Sequence, residues 1–258
     1  MSKIYPLFSS SKGNSTYIGT KKSGILIDAG VSCKKLIKAL EDNELSANAV
    51  QGIFITHEHS DHIKALSVLT KKHNIPVYAT PGTLKYLDEN DHLHSEGIEI
   101  TDKIAIADME VKAFHTPHDA VESCGYRINL PDGQSCAVCT DLGWVTDEVE
   151  QNVRGCQAVL LEANYDEQML KDGPYPYSLK SRIRSKKGHL SNVDSGSFAK
   201  HLIETGTTRL ILGHLSPTNN TPVTADRTVH SQLSDFVRNK DFTLQVAPFE
   251  TQGEYLIF

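Results

Sequence analysis

Three imidazoles and two carboxylates fall within six residues in Thr56-His57-Glu58-His59-Ser60-Asp61-His62, directly after the apolar run Gly52-Ile53-Phe54-Ile55. Such groups are costly to strip of water and pack poorly, so a cluster of them where a core strand ends requires a compensating partner. A divalent metal is the obvious one, because imidazole nitrogen and carboxylate oxygen are among its ordinary donors. A polar surface loop rich in His is the bland alternative. The same placement recurs along the chain. Gly24-Ile25-Leu26-Ile27 ends in Asp28, and Val111-Lys112-Ala113-Phe114 runs into His115-Thr116-Pro117-His118. Cys139 is followed by Thr140-Asp141, and Leu210-Ile211-Leu212-Gly213 by His214.

One ion needs three or four protein donors, and a bridged pair needs about six or seven with one carboxylate shared. His57, His59, His118, Asp61, His62 and His214 supply six donors, and Asp141 supplies a carboxylate able to bridge, so two divalent ions are expected. Asp28 is left to hydrogen-bond a ligating imidazole or bound water; a helix N-cap is its alternative. The nitrogen and oxygen set suits Zn or Mn, with Fe also compatible. His73, His92, His94, His201 and His230 sit in helical or loop contexts and are read as surface residues.

The elements that must position these groups alternate in kind. Ile4 to Phe8, Thr16 to Gly19 and Gly24 to Gly30 read as strands opening a sheet. Leu36, Ile37 and Leu40 give Cys33 to Glu41 a helical stripe, and Ile63, Leu66 and Leu69 do the same for one helix over Ile63 to His73. A strand at Pro76 to Ala79 and a short helix from Gly82 to Asp88 continue the alternation. Paired strands follow around Lys103 to Phe114, Cys124 to Asn129 and Ser135 to Thr140, with Pro131-Asp132-Gly133 as a hairpin turn. Then come a helix (Thr146 to Val153), a strand (Ala158 to Leu161), a loop at Gly173 to Tyr177, helices at Leu179 to Ser185 and Ser191 to Thr205, and the strand into His214. No repeat or linker divides the chain, so residues 1–258 are read as one domain.

A net charge of -6 argues against a protein that coats nucleic acid through its overall field, while leaving room for a local basic site. The opening Met1-Ser2-Lys3-Ile4-Tyr5-Pro6-Leu7-Phe8 has too short an apolar run for an export signal, and no stretch approaches a membrane span. A cytoplasmic protein with no membrane partner is expected. Five cysteines make a disulfide framework unlikely in that setting. Cys136 and Cys139 form a C-x-x-C, but on a strand they face opposite sides and are read as small buried hydrophobes.

The His57-x-His59-x-Asp61-His62 motif, with Asp28, His118, Asp141 and His214 around it, resembles the metallo-β-lactamase superfamily over essentially the whole chain. Glu162-Ala163-Asn164-Tyr165-Asp166, Gly188-His189-Leu190-Ser191-Asn192 and Leu212-Gly213-His214-Leu215-Ser216 look closest to ribonuclease Z and PhnP-like phosphodiesterases, and most to the YycJ/WalJ-like branch. The Ser9-to-Ser15 stretch also resembles that branch's start. The resemblance implies an α/β fold of α+β type, a four-layer αββα sandwich with a dinuclear centre at one edge. It also implies a dinuclear metal-dependent phosphodiesterase, most simply an exonuclease acting on DNA or RNA ends. A bridging hydroxide would be the nucleophile and Asp61, Glu162 and His189 the catalytic groups. His189 is the candidate general acid, paired with Glu162; a structural turn His is the alternative.

Around that centre, Ser11 and Asn14 lie in a turn dense in hydroxyls and backbone donors that either is an ordinary turn or faces an anion. Lys180, Arg182, Arg184 and Lys186 belong to a run of five cations in eight residues just before His189. They fit a polyphosphate backbone, with Tyr175 and Tyr177 able to stack bases, or form a solvated helix face. Two other readings remain open. One is a small-molecule hydrolase of a cyclic phosphodiester or thioester. The other is a non-catalytic regulatory metal-binding protein.

Overall fold

The computed structural model describes residues 2–251 and the backbone of 256–257; Met1, residues 252–255 and Phe258 lie outside it. The chain opens with an antiparallel pair, β1 (Lys3–Ser10) and β2 (Gly13–Gly19), turning at Ser11-Lys12, and β3 (Gly24–Ile27) returns beside β2. Helix α1 (Cys33–Asp42) then crosses to β4 (Val50–Phe54), which lies parallel to β3. Two helices, α2 (Ser60–Ile63) and α3 (Leu66–His73), lead to β5 (Val77–Ala79), and α4 (Pro81–Glu89) leads to β6 (Gly97–Glu99). The second half repeats the plan. A meander of β7 (Lys103–Ile106), β8 (Met109–His115), β9 (Cys124–Asn129) and β10 (Ser135–Cys139) is followed by α5 (Asp147–Val153) and β11 (Ala158–Glu162). Helices α6 (Glu167–Asp172), α7 (Tyr177–Ile183) and α8 (Asn192–Glu204) precede β12 (Arg209–Gly213). The chain then adds α9 (Pro222–Ser231), β13 (Thr243–Val246) and β14 (Leu256–Ile257).

Two seven-stranded sheets result, ordered β14-β1-β2-β3-β4-β5-β6 and β13-β12-β11-β10-β9-β8-β7. Their inner strands are buried on both faces, so each reads as a continuous apolar run whose neighbours point into different cores. Ile25 and Ile27 enter the core between the sheets while Leu26 packs outward against Leu36 and Leu40 of α1. On β11, Ala158 and Leu160 face the first sheet while Val159 and Leu161 face Phe198 and Leu202 of α8. The order of layers is helix, sheet, sheet, helix, as expected. Cys136 and Cys139 divide between the inner and outer cores, both fully buried.

Phe54 shows how this core supports the cluster. Its ring stacks on Tyr78 at 4.6 Å and meets Tyr126 edge-on at 5.5 Å, and the Tyr126 hydroxyl donates to the carbonyl of Ile55 at 2.6 Å. Phe54→Ala would open a cavity two residues before Thr56. The expected cost is about 3–5 kcal/mol in urea unfolding, together with weakened metal uptake.

Three features depart from the sequence expectation. The helix over Ile63 to His73 is two helices, because the backbone is pinned at its start: Ala29 N–H donates to His62 O at 2.7 Å and Ala65 N–H to Ala29 O at 2.8 Å. The run from Lys103 to Phe114 is a hairpin folded at Ala107-Asp108, both at positive φ as a type I′ turn requires, without a glycine to signal it. Helix α7 begins at Tyr177, inside the expected loop, with Pro176 as its N-cap. The helix α6, capped by the Asp166 side chain, and the short strand β6 carry too few apolar repeats to read from sequence.

Candidate metal centre

Parallel strands end at a common edge, and the residues just past those ends meet there. Asp28, Asp141 and His214 all take positive φ, at 62°, 55° and 54°, which turns the backbone sharply as each leaves its strand. A glycine is required where this edge is tightest. A Cβ at Gly30 would overlap the carbonyl oxygen of Asp61, so only glycine lets β3's exit loop lie against α2.

All seven expected ligands converge. Donor atoms of His57, His59 and His118 lie within 4.8 Å of one another, and so do those of Asp61, His62 and His214. Asp141 stands between the groups: its Oδ2 is 3.2 Å from His62 Nε2 and its Oδ1 is 3.6 Å from His118 Nε2. A carboxylate with one oxygen toward each cluster is placed to bridge two cations. His57 Nε2, His214 Nε2 and Asp141 Oδ2 are buried without a hydrogen-bond partner. Buried polar atoms are normally satisfied, so three orphans distributed over the two clusters fit bound cations.

Four of the expected ligand imidazoles, His57, His62, His118 and His214, are held from behind. His62 Nδ1 donates to Asp28 Oδ2 at 2.8 Å, and His118 Nδ1 donates to the carbonyl of Gly188 at 3.0 Å. The Thr56 hydroxyl donates to Asp28 Oδ2 at 2.9 Å and accepts from His57 Nδ1 at 3.0 Å. Glu162 is fully buried and serves two imidazoles, its Oε1 lying 2.8 Å from both His189 Nδ1 and His214 Nδ1. With Nδ1 committed, Nε2 is left to ligate. Asp28 is thus bonded to the ring of His62, an expected ligand, and Ser32 takes the N-cap role on α1.

The electrostatics divide the centre. Burial pushes His57 and His118 below the usual imidazole range, and neighbouring imidazoles add to this, so both are neutral donors. Burial would also lower His62 and His214, but carboxylates outweigh it: Asp141 and Asp28 hold His62 well above its usual range, and Asp141, Asp61 and Glu162 push His214 up to about 10. Burial opposes ionisation of Asp61 and Glu162, yet the surrounding imidazoles bring each down to about 2. Without cations, the second cluster thus carries protons that a divalent ion must displace. Titration calorimetry in buffers of different ionisation enthalpy is expected to show net proton release on metal uptake, and affinity that falls as pH falls. Proton-neutral binding would contradict this charge assignment.

The remaining expected residues lie at the rim. Asn14 is buried, its amide nitrogen 2.9 Å from Ser10 O and 3.1 Å from His62 Nε2, so it braces the β1–β2 turn against the centre. Ser11 is exposed beside Leu215. Arg182 pairs with Asp119, Arg184 Nη2 lies 3.2 Å from Glu167 Oε2, and Lys180 donates to the carbonyl of Lys171. Lys186 Nζ sits 5.0 Å over the Trp144 ring. Tyr177 is 86% exposed, whereas Tyr175 packs against the small core of Tyr165, Leu170 and Ile183. Sequence reasoning missed Thr56, Asn164 and Asp119. Asn164 Nδ2 donates to the His214 carbonyl at 2.8 Å, and Asp119 Oδ1 lies 3.3 Å from His118 Nε2. Their adjacency to ligand or catalytic candidates is a usable signal for Thr56 and Asp119; Asn164 had none.

A family model described as a beta-lactamase superfamily domain matches residues 24–215. The chain is 37% identical over 233 residues to exodeoxyribonuclease YycJ of Bacillus anthracis, covering 89% of this chain and 88% of that protein. It is 36% identical over 234 residues to exodeoxyribonuclease WalJ of Streptococcus pneumoniae, covering 88% and 87%. The solved structure of Zn(2+)-bound PqqB from Methylobacterium extorquens shares the fold, with a TM-score of 0.75 at 18% identity over 99% of this chain and 100% of that one. No helix among the described residues is long and apolar enough to cross a membrane. A divalent-metal cluster at the edge of an αββα sandwich and relatives of this identity over most of their length lead to one conclusion: the chain belongs to the metallo-β-lactamase superfamily, in its YycJ/WalJ-like branch.

Proposed function

We propose that this chain is a metal-dependent exodeoxyribonuclease that hydrolyses phosphodiester bonds at DNA ends, using two divalent ions, Zn or Mn. The observation that carries the reading is the double use of Glu162, whose one oxygen aligns both the metal-ligand candidate His214 and the non-ligand candidate His189. A site built only to hold a metal has no need of the second imidazole. His57, His59 and His118 would hold one ion, Asp61, His62 and His214 the other, with Asp141 shared. When bound, such ions acidify water and polarise a phosphoryl oxygen.

The protein's own part is positioning and proton transfer. The His189 ring stands 5.0 Å from that of His118 and 5.2 Å from that of His214, so it faces both clusters. Its Nδ1 is tied to Glu162, and its half-buried setting leaves Nε2 to donate a proton to the departing ester oxygen. Lys180, Arg182, Arg184 and Lys186 lie on the segment just before His189, and Arg182 reaches Asp119 beside His118. Their present partnerships are surface pairs worth about 1 kcal/mol or less, weak enough to exchange for phosphate oxygens. The single domain, 1–258, is part of the reading, because neither sheet alone supplies a complete cluster set.

The test is hydrolysis of end-labelled single- and double-stranded oligonucleotides, DNA against RNA, with Mn and Zn compared. Stepwise loss of terminal nucleotides from DNA is expected, and no hydrolysis with full metal occupancy would overturn the reading. In the same assay Arg182→Ala is expected to reduce the slope of log affinity against log salt by about one phosphate contact; an unchanged slope would place Arg182 off the DNA path.

A further inference from the structure

An apolar groove of about 480 Å³ lies between α5, α8 and the loop after β10, with Trp144, Leu190, next to His189, and Phe198 among its walls. We propose that it is a nucleobase subsite in which Trp144 stacks on the base next to the scissile phosphate of a single-stranded DNA end, an inference that rests on the exonuclease reading above.

Trp144 is the only tryptophan in the chain and is 44% exposed. Its distance from the chemistry is fixed by one carboxylate. Glu162 Oε2 accepts from the N–H of Leu142 at 2.8 Å and of Leu190 at 3.1 Å, while Oε1 holds His189 and His214. The two loops that form the groove's near end therefore share their anchor with the catalytic imidazole. Gly143 brings Trp144 under the basic turn, since a Cβ there would overlap the Lys186 carbonyl. Lys186 itself is not a groove wall, so its ammonium and the groove meet the indole from different directions.

The chemistry of the walls selects the occupant. Asp147, Glu150 and Asp194 line the groove and would repel a phosphate. The backbone is thereby held out at Lys186 and Lys187, and a flat, uncharged group enters. A nucleobase is such a group, its π-face matches an indole, and the groove volume suits a small planar ligand. No base-edge donor is needed, which fits a nuclease that removes successive nucleotides of any sequence.

Trp144 provides its own probe, being the sole indole. With the metal-loaded protein, a phosphorothioate-backboned single-stranded oligonucleotide is expected to quench Trp144 fluorescence saturably, and an abasic chain of equal length and backbone is expected to leave it unquenched. In cleavage assays on natural DNA, Trp144→Ala is expected to lower the preference for base-bearing over terminally abasic ends by about tenfold, through KM rather than kcat, and Trp144→Phe to restore most of it. Equal quenching by the abasic chain, or an unchanged preference in Trp144→Ala while DNA is still cleaved, would overturn the subsite alone. Absence of DNA cleavage by the wild-type protein would overturn the exonuclease reading, and the subsite with it.

Discussion

Asp141→Ala is expected to reduce hydrolysis to background and to cut bound metal, measured by elemental analysis of the dialysed protein. Two effects act together. Asp141 reaches both clusters, its Oδ2 lying 3.2 Å from His62 Nε2 and its Oδ1 3.6 Å from His118 Nε2. It is also the main charge that holds His62 and His214 above the usual imidazole range. Without it, the buried imidazoles lose the anion that balances two cations, and burying that charge unpaired is costly. The loss should exceed the roughly 10,000-fold that a single general acid supplies. Asp141→Asn keeps the shape and should fail similarly, since a neutral amide balances no charge. Full metal content with full turnover in either variant would show that Asp141 does not bridge.

His189→Ala should separate chemistry from binding. Metal content is expected to stay at the wild-type level, because His62, His118 and His214 keep their own orienting partners. Turnover on DNA is expected to fall roughly 100- to 10,000-fold, the range for a positioned proton donor. The leaving group provides the internal control. A p-nitrophenolate departs without protonation, so hydrolysis of bis-p-nitrophenyl phosphate should suffer much less than DNA cleavage. Equal loss on both substrates together with lost metal would make His189 a ligand. That outcome is a real alternative geometrically, since its donor nitrogen groups with those of Asp141, Glu162 and His214.

The basic run before His189 shows where reading by residue type reaches its limit. Four of its cations were candidate phosphate binders; Arg182, Arg184 and Lys186 are exposed and Lys180 is half-buried, and each has a different local partner: a carbonyl, Asp119, Glu167 and the Trp144 ring. Of the two tyrosines expected to stack bases, Tyr175 packs into a small core and Tyr177 stays open. Trp144, three residues past Asp141, carried no spacing signal, because its role depends on a groove formed by α8 and the loop after β10.

What the sequence by itself determined is the set of candidate ligands and the alternation of strands and helices that presents them. His and Asp are ordinary donors to divalent metals, and here they stand directly after apolar runs, so the type and position of the candidates were both legible. Apolar runs and helical stripes made the alternation of strands and helices legible, while the αββα class was implied by the resemblance that the motifs carry. Tertiary structure alone decided which ligands share a cluster and that Asp141 faces both. It also decided that Glu162 serves two imidazoles, and that Asn14 braces the turn beside His62. These are contacts between residues tens to hundreds of positions apart, set by how two sheets meet at one edge. No local spacing encodes them.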